Sequence, residues 1–84
     1  MMKSQADAIR GAIAKVLKVA QDTGAVEVTF RAEDVSQAVV GTISSHPNVI
    51  SALTSGKMED QTGFSPGIVD RDYKSSAALI SFKL

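Results

Sequence analysis

The apolar residues of this chain change period at Gly24. From Ser4 to Thr23, Ile9, Ile13, Val16, Leu17 and Ala20 follow the i, i+4, i+7, i+8 spacing of one helical face, while Asp7, Arg10, Lys15, Lys18 and Asp22 fall mostly elsewhere. From Ala25 to Phe30 the alternation drops to every second residue, with Val26, Val28 and Phe30 on one side and Glu27 and Thr29 on the other. A helical face followed at once by a strand face rules out a pure bundle and a pure sandwich, so an α+β domain is expected. Ser4 suits the N-cap of the first helix, and Gly24 suits a left-handed residue just beyond its end.

At 84 residues the chain holds one domain, spanning 1–84, and its 44% apolar and 21% charged residues are those of a chain that folds. It has no cysteine, so disulfides and thiolate metal sites are excluded and a packed core or a partner must stabilise it. Nine basic residues balance nine acidic ones, which removes any whole-molecule field toward nucleic acid or anionic lipid. Asp7, Arg10, Lys15 and Lys18 interrupt the N-terminal segment, which therefore reads neither as a signal peptide nor as a membrane span; an intracellular, cytoplasmic protein without membrane attachment is expected.

The stretch from Arg31 to Val40 places Ala32, Val35, Ala38 and Val39 on one face and Glu33, Asp34, Ser36 and Gln37 on the other, with Gly41 as the stop. Glu33 and Asp34 in its first turn favour helix initiation through the macrodipole. After a polar connection from Thr42 to His46, Pro47 suits the first turn of a third helix running to Ser55. Val49, Ile50 and Leu53 point inward on it, Asn48, Ser51 and Ser55 point outward, and Gly56 ends it. Lys57 to Gly67 shows neither period and carries Gly63, Pro66 and Gly67, so it is expected to be an irregular, exposed connection and the least rigid internal segment. Ile68 to Tyr73 and Ala77 to Leu84 read as two strands of a C-terminal hairpin around Lys74, Ser75 and Ser76, with Ala78, Ile80, Phe82 and Leu84 on the buried side.

Helix, short strand, helix, connection, helix and hairpin is the element order of winged helix-turn-helix domains, and the chain from about Ser4 to Leu84 resembles them. The run Val28 to Val35 looks like the passage from strand to helix in such domains, and Pro47 to Leu53 looks like their third helix. The resemblance implies a third helix laid in the major groove of DNA and a hairpin wing on the adjacent backbone. Two features depart from it. The connection from Gly41 to His46 is longer than a tight turn, and the outward positions of helix three offer no Arg or Lys to guanine.

Catalysis is not expected. His46 is the sole histidine, which excludes a multi-imidazole metal site within one chain, and its place beside Pro47 favours a role at the helix start. Asp70 and Asp72 share a strand face near Arg71 and Lys74, and read more readily as solvated edge charges than as a metal pair. Gly63 to Gly67 lacks the lysine and following helix of a phosphate loop. Phe64 reads as a cover for the core, and Tyr73 as packing on its own sheet. No cofactor is implied.

Two functions of different class follow. One is a small DNA-binding regulator, a possible homodimer, that meets duplex DNA through Asn48, Ser51, Ser55 and Lys57 on the helix side and Arg71 and Lys74 on the wing. The alternative is a protein-interaction module, an adaptor or small inhibitor, that uses the same neutral surface without nucleic acid.

Overall fold

The computed structural model describes residues 5–69 and 77–84. Helix α1 runs from Gln5 to Asp22, and strand β1 from Glu27 to Arg31. Helix α2, Ala32–Val35, continues into a π-helical turn at Ser36–Val40, and a 3-10 turn at Ile43–Ser45 leads into α3, His46–Thr54. Helix α4, Gly56–Thr62, precedes β2, Pro66–Val69, and β3, Leu79–Lys83, closes the chain. Among the described residues the three strands form one antiparallel sheet in the order β1-β3-β2, so the C-terminal strand lies between the other two. The molecule is a small α+β domain.

The core lies where α1, α3 and the sheet meet. Ile9, Ile13 and Leu17 of α1 pack with Val49, Ile50 and Leu53 of α3 and with Ile80 and Phe82 of β3. Ala32 and Val35 of α2 and Met58 of α4 complete this core. Phe30 and Phe82 meet edge to face with centroids 6.0 Å apart, which ties β1 to β3 through a pair that favours this geometry. Thr29 and Ser81 face each other in the register and their hydroxyls bond at 2.8 Å, so the polar side of the sheet is stitched as well. Gly24 and Gly41 take φ values of 93° and 96°, the left-handed conformation expected of residues that end helices.

Several expectations are corrected. The segment from Lys57 to Gly67 is largely exposed, as expected, but it is not irregular throughout. Its first half is α4, with Met58 fully buried, and Gly63 ends that helix in the left-handed region with its N–H donating to the Glu59 carbonyl. A helix of seven residues needs only one inward anchor, and a single apolar residue generates no period. Phe64 is half-buried against the core, in line with its reading as a cover. Gly56 begins α4 rather than ending α3; Ser55 breaks the two helices with an extended backbone.

Val16 does not lie in the core: it is 48% exposed, and Val26 stands outside the strand at 77%. Ser36, placed on a polar face by helical spacing, is fully buried, and Ala38 is exposed. The cause is the π-helical turn, in which the Gly41 N–H donates to the Ser36 carbonyl; the wider turn changes which side chains face inward. The Ser36 hydroxyl donates to the Thr42 carbonyl and so holds the chain where it leaves this turn. Ser36→Ala is expected to destabilise the domain by about 1 to 2 kcal/mol. A urea midpoint equal to that of the wild type would show that this bond contributes nothing.

The second strand begins at Pro66, two residues before the expected start, where a missing N–H is tolerated beside an irregularity in register between Pro66 and Ile68. The expected N-cap Ser4 and the hairpin residues Asp70 to Ser76 lie outside the described residues.

Candidate functional site

The first turns of α1, the outer face of α3 and the start of α4 enclose an open cleft of about 570 Å³. Helical spacing sets its α3 wall: with Val49, Ile50 and Leu53 drawn into the core, Asn48, Ser51 and Ser55 are left on the other side. The Ser55 break then turns the chain so that Lys57, on the first turn of α4, joins the same rim. Four of the six residues singled out from the sequence, Asn48, Ser51, Ser55 and Lys57, are therefore brought together around one cleft. The other two, Arg71 and Lys74, lie outside the described residues.

The α1 wall was not legible as part of a site. Gln5 accepts a hydrogen bond from Asn48 Nδ2 at 2.7 Å, which holds the amide of α3 against the first turn of α1. Arg10 is only 4% exposed; its Nη2 pairs with Asp7 Oδ1 at 2.5 Å and its Nε donates to Gln61 Oε1 at 2.7 Å. Gln61 Nε2 in turn donates to the Asp7 carbonyl at 3.2 Å. The clip of Asp7, Arg10 and Gln61 fastens α4 to α1 and engages the guanidinium within the protein. The i, i+3 spacing of Asp7 and Arg10 was the available signal for their pairing, whereas nothing local announces Gln61, 51 residues further on.

The α3 wall of the cleft offers neutral hydrogen bonding, whereas its α1 wall carries the Asp7–Arg10 pair, with the Asp7 side chain 42% exposed. Asn48 and Ser51 are exposed and Ser55 is half-buried, with its hydroxyl donating to the Ala52 carbonyl at 3.3 Å. From Pro47 to Gly56 the chain has no acidic or basic residue, so Lys57 supplies the exposed positive charge on this rim. Glu59 and Asp60 follow it on α4 and oppose a positive field there. Hydroxyl and carboxamide groups can donate and accept, which suits them to a base edge or to a peptide backbone.

His46 is half-buried at the start of α3, with Nδ1 at 3.2 Å from the Ile43 carbonyl. Among the described residues no three histidine, aspartate or glutamate side chains converge on a common point that a metal ion could occupy; Asp70 and Asp72 are not described. No helix among the described residues is long and apolar enough to cross a membrane.

No protein-family model matches this chain, and the comparisons with curated proteins and with solved structures find no significant match. The fold and the cleft define a small α+β domain whose helices and three-stranded antiparallel sheet are compatible with a winged-helix-like scaffold.

Proposed function

We propose that this chain is a winged-helix-like, DNA-binding regulatory module of the cytoplasm that lays the outer face of α3 and the rim at Lys57 against duplex DNA. The observation that carries this reading is the grouping of Asn48, Ser51, Ser55 and Lys57 around one open cleft on the face of α3 turned away from the core. The β1-β3-β2 sheet supports it, with a C-terminal strand pair where a wing belongs, and α4 is an addition between α3 and that pair. Arg71 and Lys74 would supply the wing cations. Asn48 is the residue suited to read a base, by exchanging its bond with Gln5 for an adenine edge.

Lys57, Arg71 and Lys74 neutralise about three phosphates per chain, so binding is expected to be weak, with a log–log salt slope near −3. Fluorescence anisotropy with mixed-sequence duplex DNA at low salt measures both. Replacing Arg71 and Lys74 together should lower affinity for all sequences alike, because such cations meet phosphate, whereas Asn48→Ala should change the preference among sites. Unaltered affinity in the double variant, or no binding at about 50 mM salt, would overturn the reading.

The uncharged run from Pro47 to Gly56 favours a second reading, a non-enzymatic protein-interaction module whose cleft takes up a polar peptide segment. The same titration separates the two, since such a module leaves duplex DNA unbound.

A further inference from the structure

One flank of α1 is apolar and uncovered. Val19 is 63% exposed and Val16 nearly half exposed, and with Lys15 and Ala20 they line a shallow depression on the helix. A second depression, between α1 and α2, is lined by Ala12, Val16, Phe30 and Val39 among others, so Val16 joins the two into one continuous surface. At about 100° per residue, Val16 and Val19 project roughly 120° and 180° from Arg10 around the helix axis. The apolar flank and the α3 cleft therefore open on different sides of the molecule, and one can be covered while the other stays free.

The charges beside this flank fit a second copy. Lys15 and Asp22 are seven residues apart, two helical turns, and so lie on one edge of the stripe. Both are exposed, and among the described residues neither forms an ion pair. If two α1 helices pack antiparallel about a two-fold axis, Lys15 of each copy comes opposite Asp22 of the other, and both pairs form at once. That register centres the axis beside Val19, so the most exposed apolar side chain of the stripe meets its own symmetry mate.

We propose that the Val16 and Val19 flank of α1 is a homodimer interface in which α1 packs antiparallel against α1 of a second copy, with reciprocal Lys15–Asp22 pairs along one edge. The inference stands independently of the DNA reading, because it uses neither α3 nor the wing. A single pair of 18-residue helices covers less than the roughly 800 Å² per partner of a standard interface, so the dimer is weak, with a dissociation constant of about 10 to 100 µM.

Sedimentation velocity on the full chain over a concentration series tests it, with circular dichroism confirming that each variant keeps its helix content. The wild type should pass from monomer to dimer across the series, and Val19→Glu should remain monomeric. Lys15→Asp should weaken dimerisation by about 5- to 10-fold, and adding Asp22→Lys should restore it, because the reversed charges pair again. Three results would overturn the proposal: a wild type monomeric at every concentration, a dimer indifferent to Val19→Glu, or a double charge swap that recovers nothing. The first of these would leave the flank to a different protein.

Discussion

Phe82→Ala is expected to destabilise the domain by about 3 to 5 kcal/mol. Phe82 is fully buried in the central strand of the sheet, stands opposite Val28 on β1 and Pro66 on β2, and meets the Phe30 ring edge to face. Truncating it removes the transfer energy of the ring and leaves a cavity between sheet and helices that neither neighbouring strand can fill without shifting register. A domain of 84 residues has roughly 4 to 13 kcal/mol of stability in total, so the loss would consume a large part of it. The melting temperature should fall by more than about 12 °C. Leu79, on the same strand but 39% exposed, is the internal control: Leu79→Ala should cost under about 1 kcal/mol. Similar melting temperatures for the two variants would mean that the sheet does not bury Phe82 as described.

Met58→Ala is expected to cost about 2 to 5 kcal/mol. Met58 is the buried residue of α4, so the substitution tests whether the segment after Ser55 belongs to the folded core or hangs free. Amide exchange distinguishes these without mutation. The helical N–H groups of Asp60 to Gly63 should exchange slowly in the wild type, because the clip of Asp7, Arg10 and Gln61 fastens the helix to α1. In Met58→Ala, protection of α4 should fall more steeply than protection of α1. A free connection would tolerate the substitution with less than about 0.5 kcal/mol of change and would show no protection in either protein.

The long periodic elements were legible because many residues vote for them. Five apolar positions predicted α1, and Gly24 and Gly41 marked helix ends because the left-handed backbone favours glycine. The outward set Asn48, Ser51 and Ser55 followed from the inward set Val49, Ile50 and Leu53 by geometry alone, and all three lie on the cleft. Helix α4 was not legible, since one methionine among polar residues has no period. Val16 was misplaced because its spacing fits the edge of the apolar face equally well. How wide that face must be depends on what packs against it.

Local pattern and backbone preference thus determined, from the sequence by itself, an α+β domain, the extents of α1 and α3, the cross-strand side of β3 and the polar face of α3. Only the tertiary structure decided that β3 lies between β1 and β2, that Ser36 turns inward, that α4 exists, and that Arg10 is held by Asp7 and Gln61. The physical reason is range. Helical and strand periods arise from neighbours three, four or two positions apart, whereas these outcomes depend on groups brought together from distant segments, or on which of several polar side chains the assembled core leaves room to bury.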